Sequence, residues 1–235
     1  VFWGSVTKVC GFKSGTRHGG KVTGLAASGN PNKLIDKFRQ VIKCDGLRLK
    51  AKEELFFDSS KLIPDWGNYE PERLKKFLGE ATREDVAAGA QKRLEEVAVE
   101  LISNALNKTG LNKVVLAGGV FANVLLNQKI RQLPKVDDIY VFPAMSDGGL
   151  ALGAALSFLS KSKIKEGGKL MPKNFGIVYF GPSYSDNDIR EDLARNKIVY
   201  KKMVEPAKEI AKLIYENKIV AFYTGRMEYG PRALG

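Results

Sequence analysis

The sequence predicts an α/β fold, and two features of its middle part support that prediction. Residues 114–117 and 139–142 are short apolar runs, and each is followed closely by paired glycines and then by a helical pattern. Two successive units of strand, glycine turn and helix are typical of helices layered on a sheet, with ligand contacts at the turns. A long run of helical periodicity over residues 82–110 precedes them.

The elements before the first strand differ in how clearly the sequence marks them. Residues 1–65 are glycine-rich, and we expect irregular structure there apart from a helix at 33–42. Thr82 and Asp85 have the spacing of a capping box that begins a long helix, and Gly110 is placed to end it. The apolar residues that define one face of this helix are Val86, Ala90, Leu94, Val97, Leu101 and Ile102.

Helices are predicted after both glycine turns, at residues 122–132 and 150–158. The lysine-, serine- and glycine-rich stretch 161–173 has the composition of a linker. We therefore predict one domain over residues 1–165 and a second over 174–235.

The second domain is predicted to be α/β or α+β and incomplete. Ser185 and Asp188 have capping-box spacing, and Pro206 is placed to begin another helix. Strands are predicted at 176–180, 197–203 and 218–223.

The formal net charge of +12 favours anionic partners, either nucleic acid or phosphate-bearing small molecules. The lysines are scattered and no nucleic-acid module is recognisable, so nucleic acid is the less favoured partner. No apolar run reaches membrane-spanning length and the first residues lack the pattern of a secretory signal, which makes a cytoplasmic location the expectation. Cys10 and Cys44 lack the spacing of a disulfide framework or a zinc site, and we expect reduced thiols packed as small hydrophobes.

Two glycine turns are candidate ligand sites. Gly118 and Gly119 lie between a strand and a helix, where backbone amides can approach a nucleotide, although a tight turn alone would also need them. Asp147 follows Ser146 and precedes two glycines, so its carboxylate is suited either to bind a metal or to cap a helix.

The segment from residue 225 to 235 concentrates charged groups among glycines. Arg226, Glu228 and Arg232 could converge there on a phosphate, or form ordinary surface ion pairs. Lys21 follows two glycines and is either a phosphate contact or a solvated side chain, since Walker spacing is absent. His18 has no partner that the sequence reveals.

Taken together, these segments resemble the O-carbamoyltransferase family that includes nodulation protein U and antibiotic carbamoyltransferases. The matching segments, in the family's order, are Gly11-Phe12-Lys13, residues 20–26, 117–123, 146–155, 181–184 and 225–235. The last of these is the most specific.

The resemblance implies that residues 1–165 are the second half of an actin-like, sugar-kinase or Hsp70-like ATPase domain. It further implies that Gly118 and Gly119 line an ATP pocket, that Asn123 hydrogen-bonds the ligand, and that Asp147 binds a divalent metal, commonly iron. The cofactors it implies are ATP, this metal and magnesium. Lys21 would join the nucleotide- and substrate-binding residues.

The resemblance also implies that residues 174–235 begin a YrdC-like domain. Such a domain uses carbamoyl phosphate and ATP to make a carbamoyl-adenylate, with Arg226 and Arg232 binding phosphate and Glu228 orienting an arginine or an amide. The carbamoyl group would then pass to a hydroxyl of a small metabolite. The alternatives are a tRNA-modifying carbamoylation protein and a non-catalytic nucleotide-binding module.

This sequence departs from the family pattern in two ways that bear on the activity of the chain. The family's pair of metal-binding histidines lies in a segment that this sequence does not contain, and so does the continuation of the arginine-rich motif. We therefore expect the chain to be a fragment with an incomplete metal site and no turnover by itself.

Overall fold

A computed structural model describes residues 1–13, 17–56, 71–168 and 178–230, which form a mixed α/β structure as predicted. The chain divides into two compact units, Val1–Ser146 and Asp147–Gly235. The predicted boundary between residues 165 and 174 stays a prediction. No helix among the described residues combines the length and the apolar character needed to cross a bilayer.

The first unit contains six described α-helices and two small sheets. Its helices are α1 (Phe2–Val9), α2 (Gly19–Ala26), α3 (Ile35–Val41), α4 (Pro71–Leu78), α5 (Arg83–Thr109) and α6 (Val124–Arg131). Its strands are β1 (Ile42–Asp45), β2 (Arg48–Ala51), β3 (Lys113–Leu116) and β4 (Asp138–Val141).

The irregular structure expected for residues 1–65 is wrong over the described part of that range. Helices α1 and α2 lie there, and β1 pairs with β2 as an antiparallel hairpin in which Asp45 faces Arg48. The two-residue loop begins at Gly46, whose φ of 61° is readily adopted only without a side chain. The short helices are stabilised by packing rather than by a long periodic pattern, which explains why periodicity missed them.

Helix α5 confirms the most detailed sequence prediction. The Thr82 hydroxyl accepts the Asp85 amide hydrogen over 3.2 Å, and Gly110 ends the helix in a left-handed conformation at φ 69°. The capping box itself is only half formed. The Asp85 carboxylate instead accepts the Asn30 backbone N–H at 2.8 Å and the Lys33 ammonium at 2.7 Å.

Two apolar clusters share helix α5. The first lies around α1, α3, α4 and the N-terminal half of α5, and the second lies between α5, α6 and the β3–β4 sheet. The first includes Val6, Val22, Phe38, Leu74, Leu78 and Val86; the second is built on Leu94, Leu116, Leu126 and Ile130. Burial of these side chains supplies the main driving force for folding of the unit.

The two cysteines have different environments. Cys10 is buried in the first cluster, and this burial raises the pKa of its thiol to about 11, so it remains protonated at neutral pH. Cys44 is only partly buried, on strand β1. The expectation of a packed small hydrophobe is confirmed for Cys10 and wrong for Cys44.

Strands β3 and β4 run parallel, with α6 as the crossover between them. Lys113 pairs with Asp138 and Leu116 with Val141. A parallel pair needs such a crossover, and its carboxyl ends meet at one edge of the sheet. The Gly118-Gly119 turn follows β3 at that edge, and the chain leaves β4 there towards Ser146.

The second unit contains α7 (Leu150–Lys165), α8 (Asp186–Arg195) and α9 (Pro206–Tyr215) among its described residues. The Ser185–Asp188 capping box is present, and Pro206 occupies the first turn of α9, both as predicted. Helix α7 extends to Lys165, so residues 161–165 of the predicted linker are helical. No described residue of this unit is buried.

The strands predicted at residues 197–203 and 218–223 are wrong, and residues 178–180 of the third are also irregular. Lys197 and Asn217, directly after α8 and α9, have φ of 54° and 57°. A strand requires a partner for its backbone groups, and apolar alternation in the sequence cannot supply one.

Candidate functional site

The carboxyl edge of the β3–β4 sheet holds the first glycine turn, at Gly118, against the segment that follows β4. The Gly118 amide donates to the Met145 carbonyl at 2.6 Å, linking the end of β3 to the segment after β4. Gly118 has a φ of 119°, a conformation that side chains disfavour. A Cβ on Gly119 would lie 3.1 Å from the Ser146 hydroxyl oxygen. The backbone therefore favours glycine at position 118, whereas a side chain at position 119 would require a small shift of the Ser146 hydroxyl.

Asn123 lies buried beneath this turn and holds two helices together. Its Nδ2 donates to Oε1 of Gln91 on α5 at 2.7 Å, and its Oδ1 accepts the Leu126 amide at the start of α6. Gln91 Nε2 donates in turn to Asn123 and to Glu95. Both polar ends of Asn123 are thus occupied by protein groups. The ligand contact that the resemblance implies stays a prediction, and the geometry gives Asn123 a positioning role.

Asp147 is exposed and begins the short 3-10 turn Asp147–Gly149 before α7. Within the described residues, no three His, Cys, Asp or Glu side chains are grouped as metal ligands. One carboxylate holds a transition metal poorly, so the described residues do not form a complete metal site.

The arginine-rich segment is held against residues 178–181. The Arg226 Nε donates to the Gly181 carbonyl at 2.6 Å, and the Gly181 amide donates to the Met227 carbonyl at 3.0 Å. A Cβ on Gly181 would lie 2.9 Å from the Met227 backbone nitrogen, so only glycine allows this approach. Glu228 is half-buried in the same segment, whereas Arg232 lies outside the described residues.

Lys21 lies against an aromatic ring that the sequence did not single out as a site. Its Nζ is 5.9 Å from the centroid of Phe12, and the guanidinium carbon of Arg83 is 4.8 Å from the same centroid. The His18 ring packs edge-on against Phe12, with centroids 6.3 Å apart. Arg83 also lines a groove of about 460 Å³ with Val9 and Lys75 among its walls.

Sequence reasoning missed Arg83 and Gln91 for the same reason. Each acts through a partner distant in the chain, and the positions of both in α5 fit an ordinary helix surface or interior. In the sequence, Phe12 was indicated only by the Gly11-Phe12-Lys13 segment that matches the family. It carried no information about Arg83.

Comparison with known proteins identifies the family of this chain. Residues 2–156 match the sequence model of the carbamoyltransferase N-terminus family. An uncharacterised protein of Methanocaldococcus jannaschii is 33% identical over 97% of this chain and 37% of its own length. The nodulation protein NolNO of Sinorhizobium fredii is 30% identical over 92% of this chain and 31% of its own length.

Nodulation protein U of Sinorhizobium fredii is 32% identical over 67% of this chain and 26% of its own length. The chain thus spans between about a quarter and two fifths of these three relatives. The matched residues 2–156 include Lys21, both glycine turns and Asp147.

Proposed function

Because this chain belongs to the carbamoyltransferase family, we propose that it works as part of an enzyme that transfers a carbamoyl group to a hydroxyl of a small metabolite. The observation that carries the proposal is the position of the Gly118 turn at the carboxyl edge of the β3–β4 sheet, where its amide donates to the Met145 carbonyl. Ligands of open parallel sheets bind at that edge, outside the carboxyl ends of the strands.

The proposed donor is carbamoyl phosphate, activated with ATP as a carbamoyl-adenylate. In the transfer step, the acceptor oxygen forms a bond to the carbamoyl carbon and loses its proton. The bond from that carbon to the AMP oxygen breaks, and AMP leaves with the electron pair. Fixed cations near the phosphates would stabilise the negative charge that develops on the leaving group.

The residues have distinct proposed roles. Gly118 and Gly119 bring backbone close to ATP, whereas Lys21 contacts substrate phosphate as a point charge. Arg226 and Arg232 bind phosphate groups in a YrdC-like domain, and Glu228 orients an arginine or an amide. The actin-like architecture of residues 1–165, the YrdC-like assignment of 174–235 and the cytoplasmic location belong to the same proposal.

Asp147 is the proposed ligand of a divalent metal, iron or magnesium. The described residues contribute one carboxylate to that site, so the remaining ligands would come from groups other than those described. A Lewis acid there would polarise the carbamoyl carbonyl.

The glycine turn gives a direct test by isothermal titration of ATP against the 235-residue chain. We expect millimolar or tighter binding that Gly118→Val weakens about 10-fold or more, because a branched side chain disfavours φ of 119° and fills the approach to the backbone. Gly153→Val in α7 is the matched control, since a Cβ there meets no neighbour within 4 Å.

Carbamoyl phosphate is titrated in the same way, with Arg226→Ala alongside. We expect the binding to weaken in that variant, whereas ATP binding at the glycine turn stays unchanged. Unaltered ATP affinity in folded Gly118→Val would contradict the nucleotide role of the turn.

A further inference from the structure

Two cations lie near the Phe12 ring. The Arg83 guanidinium carbon lies 4.8 Å from the ring centroid and the Lys21 Nζ lies 5.9 Å from it. The two charges are therefore no farther apart than the sum of these distances. A diphosphate that accepts hydrogen bonds at both ends bridges such a span.

Among the described residues, carboxylates neutralise these two cations only weakly. The ion pair of Arg83 among the described residues is with Glu84 at 3.9 Å, and none is formed there by Lys21. By contrast, Lys33 at the other side of the start of α5 contacts the Asp85 carboxylate at 2.7 Å. Two like charges held near one ring repel each other, and a bound anion would relieve that repulsion.

The backbone adds to this positive field. Lys21 is the third residue of α2, whose first turn contains no acidic residue and whose N-terminus has no side-chain cap. Arg83 is the first residue of the 27-residue helix α5. The N-terminal turns of helices carry partial positive charge, so Lys21 and Arg83 both extend from backbone that favours an anion.

Arg83 and Lys21 offer complementary chemistry to a phosphate. The Arg83 side chain is 48% exposed, and its planar fork stacked on Phe12 can donate two parallel hydrogen bonds. Lys21 supplies a compact charge at a neighbouring oxygen. The ring limits the rotamers of both side chains, which lowers the entropy lost on binding.

We propose that Arg83, together with Lys21, forms a phosphate-binding subsite over Phe12. The assignment of this subsite to the phosphate of the carbamoyl donor or of the nucleotide rests on the proposed function, whereas anion binding by the pair does not. Arg83 is then a substrate-binding residue that recognises phosphate geometry.

The test is isothermal titration of inorganic pyrophosphate against the 235-residue chain at low ionic strength, where screening is weakest. Arg83→Gln and Lys21→Met should each weaken binding about 10-fold or more, as expected for loss of a hydrogen bond between charged groups. Arg83→Lys should fall between wild type and Arg83→Gln, because it keeps the charge and loses the fork.

The matched control is Arg48→Gln on the exposed strand β2. That hairpin contacts Asn104, 21 residues or about 31 Å along α5 from Arg83. Arg48→Gln removes the same charge and should leave the affinity within about twofold. Circular dichroism of each variant checks that the chain remains folded.

Absent pyrophosphate binding in the wild type would overturn the proposal, and so would equal affinities of Arg83→Gln and Arg48→Gln. Pyrophosphate binding requires no carbamoyl transfer, so its loss leaves the ATP titration of Gly118→Val as an independent test of the proposed function. Conversely, failure of that titration leaves the anion subsite standing.

Discussion

Gly29 lies where the loop after α2 crosses the start of α5. A Cβ at this position would overlap the backbone carbonyl of Glu84 and lie 2.8 Å from the Asp85 nitrogen. Backbone atoms cannot rotate away as a flexible side chain can. The crossing therefore needs a residue without a side chain, although the local sequence gives no sign of it.

We expect Gly29→Ala to lower the free energy of unfolding by roughly 2 kcal/mol or more, because α2 and α5 must separate to admit the methyl group. Urea denaturation followed by circular dichroism measures the change. Gly24→Ala inside α2 is the control, since a Cβ there meets nothing within 4 Å. It should raise stability by about 0.5–1 kcal/mol. Equal effects of the two substitutions would contradict the crossing argument.

Asp85 makes stability depend on pH in acid. Its pKa is lowered from 3.8 to about 2, mainly because Lys33 donates a hydrogen bond to the carboxylate, followed by contributions from the Asn30 amide and the Thr82 hydroxyl. A pKa that is lower in the folded state means that the unfolded state binds more protons in this range. The stabilisation is present above about pH 3.8 and is lost as the pH falls towards about 2.

Asp85→Asn should therefore be less stable than wild type at neutral pH, and the difference should shrink between about pH 4 and pH 2. Urea midpoints measured across this range follow it. Lys33→Met should reproduce a large part of the loss of stability above pH 4, since it removes the ammonium that lowers the pKa of Asp85 most. A gap between wild type and Asp85→Asn that is as wide at pH 2 as at pH 7 would exclude this linkage.

At the scale of elements, the amide pair between Gln91 and Asn123 fixes α6 and the glycine turn against α5. Asn123 is 7% exposed and Gln91 is 5% exposed, so neither amide can exchange its partner for water. The same Asn123 oxygen caps α6 by accepting the Leu126 amide. Helix α5, which precedes the Gly118 turn in the chain, thus fixes the position of that turn.

Asn123→Ala should lower the free energy of unfolding by about 2–4 kcal/mol, because it removes a helix cap and leaves the buried Gln91 amide without its Asn123 partner. The double variant Gln91→Leu/Asn123→Ala should lose about 1 kcal/mol less unfolding free energy than the two single variants lose in sum. Urea unfolding of the four proteins gives the coupling. Asn107→Ala, an exposed asparagine on α5, should stay within about 0.5 kcal/mol of wild type.

The same variant separates positioning from ligand contact. If Asn123 only positions the turn, ATP affinity should track the fraction of folded protein and return to the wild-type value at low temperature. A stable Asn123→Ser protein that has lost ATP binding would instead identify Asn123 as a ligand contact.

For the molecule as a whole, the two units differ in how much apolar surface they remove from water. The first unit encloses two apolar clusters, whereas the described residues of the second include no buried side chain. Helix α7 leaves Leu150 and Phe158 about 70% exposed. Local stability depends on buried apolar contacts, so it should be concentrated in the first unit.

Hydrogen exchange followed by mass spectrometry should therefore show slow exchange in α5 and α6 and exchange in α8 and α9 faster by roughly two orders of magnitude or more. The capping box of α8 slows the first turn only slightly, since a cap contributes about 1 kcal/mol. Protection of α9 equal to that of α5 would show that the second unit buries its apolar side chains in solution.

Local patterns in the sequence determined the α/β class, the course of α5 from Thr82 to Gly110, the capped start of α8 and the proline start of α9. These features depend on residues three or four positions apart, whose contacts a linear pattern encodes. The glycine turn at Gly118 was visible for the same reason. The family followed from short motifs read in their order along the chain.

Only the tertiary structure decided the features that join distant residues. It placed the Arg83 and Lys21 cations near the Phe12 ring and paired the Asn123 side-chain amide with that of Gln91. It also showed close backbone approaches that require glycine at positions 29 and 181. It also left residues 197–203 and 218–223 without strand partners. Such contacts depend on how separate elements pack, and a side chain carries the same letter whether or not a partner from elsewhere in the chain reaches it.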